Sequence, residues 1–218
     1  MHKQKIDCLF LHTPENRPGG GAFAMYMAMG IFALADYLQR NGYASRILHL
    51  GVEKILNNKF SIENYLKDKE VILAGISLHW HYQSRDAIKL VNKIKSARPE
   101  IKIALGGFTA SFFADEIMRN FKNVDFIIRG DAEIPLLNLM DGLSKGAPGL
   151  SSVPNLTWRN GTKVIHNEQN YVADEADINK LSFSNFELME NFATYTKIHF
   201  DLFDYSGVLL NRYNTFFL

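Results

Sequence analysis

Hydrophobic positions come in short blocks along this chain, and the spacing within each block decides the element. Ile6-Asp7-Cys8-Leu9-Phe10-Leu11 is apolar on both alternating faces apart from Asp7, as a strand covered on both sides requires. From about Phe23 to Asn41 the period changes. Met27, Ile31, Leu34 and Leu38 recur at helical spacing, and Gly42 stops the helix. Ala44–Leu50 reads as a second strand, Ser61–Lys67 as a short amphipathic helix, and Glu70–Ser77 as a third strand. A helix over Ser84–Ala97 follows, then Ile101–Leu105 as a fourth strand, a helix over Thr109–Phe121, Val124–Ile128 as a fifth strand, and a helix to about Ser144.

Strands and helices alternating at this spacing predict an α/β fold, a doubly wound five-stranded parallel sheet, because each parallel strand needs a crossover that covers a face. Beyond Gly149 the pattern shifts. Two short strands, Pro154–Arg159 and Thr162–His166, flank Asn160-Gly161, a two-residue hairpin signal. From Tyr171 onward there is no clean period, only spaced aromatics, and the chain closes on Thr215-Phe216-Phe217-Leu218. The division expected is an α/β domain over 1–149, then a hairpin and irregular linker over 150–218.

In such sheets ligands bind beyond the carboxyl ends of the strands, where strand order reverses. Leu105-Gly106-Gly107-Phe108-Thr109-Ala110 is the strongest of those ends, since glycines let a ligand approach bare backbone just before a helix begins. The other candidate ends are Thr13-Pro14, Ser77-Leu78-His79 and Gly130-Asp131-Ala132-Glu133.

Composition narrows the chemistry. The chain has 24 basic and 23 acidic residues without a basic stripe, so nucleic acid is not an expected partner. A single cysteine, Cys8, rules out an internal disulfide framework and any cysteine-held metal cluster within the chain, and it suits a cytoplasmic location. Cys8 lies mid-strand and reads as an inert core thiol. The uncharged run Ala22–Ala35 falls short of the about 20 residues that span a bilayer and reads as a buried helix, so no membrane partner is expected.

Dinucleotide and triphosphate loops are missing: Gly19-Gly20-Gly21 lies well past the first strand, and no Gly-x-x-x-x-Gly-Lys-Ser/Thr occurs. His12 and Thr13 stand where a receiver domain would place acidic residues. His12, His79 and His81 fall at the ends of two neighbouring strands. They make either a metal site, or His79 alone an axial ligand to cobalt, or ordinary histidines that hydrogen-bond loop backbone.

Between Cys8 and Leu188 the chain resembles the cobalamin-binding domain that precedes the barrel of cobalamin-dependent radical S-adenosylmethionine enzymes. The resemblance rests on Thr13-Pro14 with the downstream glycines, the helix from Met29 to Tyr43, Gly75-Ile76-Ser77, Leu105 to Ala110, Asp125 to Glu133, the Asn160-Gly161 hairpin and the Leu181–Leu188 linker. It implies a flavodoxin-like strand order 2-1-3-4-5 and a vitamin B12 cofactor with its nucleotide tail in a groove and its corrin ring across the strand ends. Gly106 and Gly107 then make room for the tail, and Ser77 bonds near it. Thr13, Leu78, His79 and Phe108 line the ring side, and Gly130 and Glu133 close the fifth-strand edge. Pro14 and Asp131 belong to the same loops.

The Asp-x-His-x-x-Gly cobalt-ligand motif is absent, and the family's Gly-Glu-x-Glu reads Gly130-Asp131-Ala132-Glu133. The resemblance therefore implies cobalamin without its tail base, or a histidine from that motif, on cobalt. It also implies a 4Fe-4S cluster and S-adenosylmethionine in a downstream barrel of the same polypeptide, where methyl transfer or another radical reaction would occur. Glu133 on its own also fits a first-turn helix acid. The alternative is a self-contained flavodoxin-like or nucleotide-sugar-binding enzyme using the same crevice.

Overall fold

The structure is a computed structural model and describes residues 3–13 and 29–202. The expected loop from Pro14 to Gly21, the helix segment before Met29 and the closing run Thr215–Leu218 lie outside these residues.

One seven-stranded sheet runs through the chain in the order β2-β1-β3-β4-β5-β6-β7. Its strands are β1 (Gln4–His12), β2 (Ser45–His49), β3 (Lys69–Ser77), β4 (Lys102–Gly106), β5 (Phe126–Ile128), β6 (Leu156–Asn160) and β7 (Lys163–His166). The first five pair in parallel, in the 2-1-3-4-5 order. The hairpin then adds to β5 antiparallel, so the sheet continues across position 149/150.

Helices alternate with these strands: α1 (Met29–Arg40), α2 (Leu50–Leu56), α3 (Ile62–Tyr65), α4 (Ser84–Ala97), α5 (Phe108–Phe112), α6 (Ala114–Asn120), α7 (Glu133–Lys145), α8 (Glu175–Ile178) and α9 (Phe192–Leu202). The sheet separates two cores. Leu9, Leu11, Ile76, Ile103 and Leu105 face α3, α4 and α6 through Ile62, Leu90, Ile94 and Met118. Cys8, Phe10, Leu73 and Ala104 face α1 and α7 through Phe32, Leu38, Leu136 and Leu139. The period of two in each strand decides which core a residue joins. Cys8 is fully buried, and burial first, then the neighbouring Asp7 charge, pushes its thiol far above the usual range. That keeps it protonated and inert.

Two expected elements differ. The second strand stops at His49 because Leu50 already begins α2, with the His49 Nδ1 accepting from the Val52 N–H at 3.4 Å as its cap. The helix expected over Thr109–Phe121 breaks at Phe113 into α5 and α6. The segment after the hairpin is also built in. Met189 bridges Ile47, Asn191 bonds His49 backbone and Glu53, and Leu188, Met189 and Tyr195 join the α1-side core. The chain thus returns from the β7 edge to cover the opposite edge at β2.

Candidate functional site

The α1 side of the sheet carries a cleft at the carboxyl ends of the strands. α1 covers one flank and α7 the other, and the two approach at their far ends, where the Tyr43 hydroxyl donates to Asp141 at 2.5 Å. Toward the strand ends they leave β3 and β4 uncovered, over Gly75, Ala104 and Gly106. The resulting cavity has a volume of about 820 Å3, near the upper end for small-molecule and cofactor sites, about 300–1,000 Å3. Met29, Ile31 and Leu34 of α1 form one wall, and Asp131, Glu133 and Leu136 the other.

The glycines of the floor have different reasons. A Cβ on Gly106 would have no atom within 4 Å, so this position opens onto the cleft. A Cβ on Gly75 would lie 3.1 Å from the Phe10 ring, so Gly75 makes room for a neighbouring side chain. Gly107 has φ +103°, and a Cβ there would come within 2.9 Å of the Leu78 carbonyl oxygen. Its bare backbone lets the exit of β3 cross the start of α5, fixed by Leu78 N–H to Gly106 O at 2.8 Å and Ala110 N–H to Leu78 O at 3.2 Å. Of the expected pair, Gly106 faces the cavity and Gly107 builds the corner.

At the mouth, the His79 ring sits between Trp80, edge-on at 4.9 Å, and Phe108 at 4.3 Å. Trp80 and Phe108 are half exposed or more, at 50% and 71%, which gives the cleft an apolar rim. The Gln83 Oε1 accepts from the backbone N–H groups of His79 and Trp80 and holds this loop.

The β5 side is closed by polar contacts. Gly130, at φ +72°, donates its N–H to Ser111 Oγ at 3.0 Å. The Asp131 carboxylate accepts from the Ala173 N–H at 2.9 Å and so anchors the segment after the hairpin. Glu133 opens α7 at the cleft wall, where its Oε2 is buried and has no protein hydrogen-bond partner. The Tyr171 phenol nearby is pushed up by burial first and by the Glu133, Asp177 and Asp131 charges second.

Eight of the expected residues line the cavity: Ser77, His79, Gly106, Gly107, Phe108, Gly130, Asp131 and Glu133. Two do not join them. Leu78 points into the α4-side core and is 1% exposed. Thr13 is buried and lines a smaller cavity of about 450 Å3 with Leu50, Phe60 and Lys89. Pro14 lies outside the described residues. Leu78 departs because it continues the alternation of Ala74 and Ile76, which face the α4-side core, whereas Gly75 and Ser77 line the cleft. The three histidines do not converge either. His12 packs edge-on to His49 at 4.6 Å and His81 is exposed, and among the described residues no group of three His, Cys, Asp or Glu could hold a metal ion.

Sequence reasoning overlooked Asn155. It is fully buried with φ +60°, and its amide donates to the Asp131 and Tyr171 carbonyls at 3.3 and 2.8 Å while its Oδ1 accepts from the Tyr171 N–H. Its one signal was the Pro-Asn pair ahead of the hairpin, which fits a left-handed asparagine.

Residues 24–140 match the model of a family described as the B12 binding domain. A hopanoid C-3 methylase from Methylococcus capsulatus is 25% identical over 134 residues, which are 61% of this chain and 25% of that protein. Among solved structures, a radical S-adenosylmethionine methyltransferase, TsrM, from Kitasatospora setae, with cobalamin and a 4Fe-4S cluster bound, superposes with a TM-score of 0.62 at 14% identity, over 79% of this chain and 30% of that one. The cobalamin-dependent S-adenosylmethionine radical enzyme OxsB, with aqua-cobalamin and S-adenosylmethionine bound, gives 0.60 at 18% identity, over 77% and 23%. The chain therefore spans about a quarter of the curated relative it matches. No helix among the described residues is long and apolar enough to cross a membrane.

Proposed function

This chain belongs to the B12-binding domain family, and on that premise we propose that its cleft holds cobalamin as the cofactor module of a radical S-adenosylmethionine enzyme. One observation carries the reading: the floor at Gly106 is open where every other residue type would project a side chain into the cavity. An extended ligand tail needs such a floor, and a bulky amphipathic head needs an apolar rim with a few polar anchors.

The residues fit the group. Gly106 and Ala104 leave the groove free, and Ser77 offers a hydroxyl beside it. Trp80 and Phe108 give apolar surface for the corrin edge. Glu133 opens α7 on the cleft wall and would offer its carboxylate to a donor of the bound group. When bound, cobalamin supplies a cobalt centre able to carry a methyl group. The residues of this chain bind it, orient it and hold its tail away from water.

In this reading residues 1–149 are the cofactor domain, and 150–218 complete its sheet and lead to a radical barrel in the same polypeptide. The barrel holds the 4Fe-4S cluster and S-adenosylmethionine, and the whole protein transfers a methyl group or carries out a related radical reaction. Incubation with hydroxocobalamin followed by gel filtration tests the cofactor assignment. Red colour co-eluting with the protein supports it, and colourless protein refutes it.

A further inference from the structure

We propose that the smaller cavity, on the α4 side of the sheet, binds a small organic anion: a carboxylate or similar monoanion carried on an apolar body. Its described lining residues are none of those that line the cofactor cleft, and the proposal does not depend on the cobalamin reading.

The walls give the first reason. At about 450 Å3 the cavity falls within the about 300–1,000 Å3 of small-molecule sites. Leu50 at the start of α2, Ile62 at the start of α3 and Leu90 of α4 line it as members of the α4-side core, and Phe60 packs against the same core. The inner surface is therefore apolar.

Charge is the second. Lys54 of α2 and Lys89 and Lys93 of α4 also line the cavity, and all three are exposed where Leu50, Ile62 and Leu90 are buried, so its outer part is cationic. Lys89 and Lys93 stand one turn apart on one helix, a spacing that like charges disfavour. Lys93 lies 4.0 Å from Glu63, and Asp86 belongs to the wall. Among the described residues Lys54 and Lys89 have no hydrogen-bond or ion-pair partner. Three ammonium groups thus meet two carboxylates, and the excess is one positive charge.

A buried hydroxyl is the third. Thr13, at the end of β1, lines the same cavity, and its Oγ1 has no hydrogen-bond partner among the described residues. Buried polar groups are nearly always bonded, and a ligand oxygen at this end of the cavity would complete it. These three features select the ligand class. A free inorganic ion satisfies the lysines but gains nothing from Leu50, Phe60 and Leu90, and a neutral hydrocarbon leaves the lysines unmatched. An anion with an apolar body uses both surfaces.

The test titrates octanoate into the isotope-labelled chain and maps binding by two-dimensional amide NMR, with octanol and inorganic phosphate as controls. Saturable shifts at residues 50–62 and 86–93, which neither control reproduces, are expected. Lys54→Glu combined with Lys89→Glu replaces two exposed side chains without partners, so the variant should melt close to wild type and bind octanoate at least about tenfold more weakly. Absence of saturable shifts in those two segments overturns the proposal, as do shifts confined to cleft residues such as Gly106. Equal shifts with octanol would show that the lysines play no part, equal shifts with phosphate that the apolar wall plays none, and either result overturns it. So does undiminished affinity in the folded double variant. The wild-type map needs no variant, so it decides the matter even if the double variant does not fold. None of these results bears on the cobalamin assignment, which retention of hydroxocobalamin tests separately.

Discussion

Ser77 and Gly106 are register partners on β3 and β4, so a hydroxyl and a bare Cα stand side by side where the two central strands end. The neighbouring Gly107 also lines the cavity, but what requires a glycine there is the crossing of Leu78. The two glycines therefore separate an open floor from a constraint of the fold.

Gly107→Ala is expected to destabilise the fold by roughly 1–3 kcal/mol, because alanine is strained at positive φ and its Cβ would press on the Leu78 carbonyl at 2.9 Å. Urea denaturation followed by circular dichroism measures this. A midpoint equal to wild type would show that the β3 exit moves aside freely.

Removal of the buried Asn155 amide strands the Asp131 and Tyr171 carbonyls. Asn155→Ala should cost about 1–3 kcal/mol, and hydrogen exchange should accelerate first at the Tyr171 and Ala173 amides, which the Asn155–Asp131 pair holds. Uniform acceleration over the whole sheet would argue instead for a global loss of packing.

The closure of α1 on α7 depends on pH through Asp141. Burial alone would raise its pKa, but hydrogen bonds from Lys145 and Tyr43 outweigh that and lower it below the ordinary 3.8. A depressed carboxylate stabilises the folded state above its unfolded value, and this is lost as pH falls through the folded value. Lys145, raised chiefly by its bond to Asp141, contributes below the ordinary lysine range and stops contributing as pH rises through its folded value. Asp141→Asn should therefore lower the melting temperature at neutral pH, with the gap to wild type closing below the ordinary aspartate range. A gap that stays constant into strong acid would mean that the charge of Asp141 is not what matters.

The parallel core was legible because each of its strands is a short apolar run bounded by breakers, and covered strands need no more than that. The cleft was legible for the same reason: glycines and small residues at strand ends stand out against such runs. What escaped was set by distant partners. Asn191 meets His49 across 142 positions, and no local period marks that contact. The start of α2 was hidden because Leu50-Gly51-Val52 continues the apolar run of β2. Leu78 and Thr13 were placed at the mouth by proximity in sequence, whereas the alternation of β3 and β1 continues through them and sends their side chains to the α4 side, into the core and a second cavity.

The most direct measurement is a visible-absorbance titration of hydroxocobalamin into wild type and Gly106→Val, beside their thermal melts. With no atom within 4 Å of the new Cβ, the variant should melt close to wild type, while wild type saturates and the variant loses at least about a hundredfold in affinity, the cost of roughly 3 kcal/mol of steric overlap. Equal binding by both proteins, with both folded, would show that no ligand lies against the bare floor and would contradict the assignment.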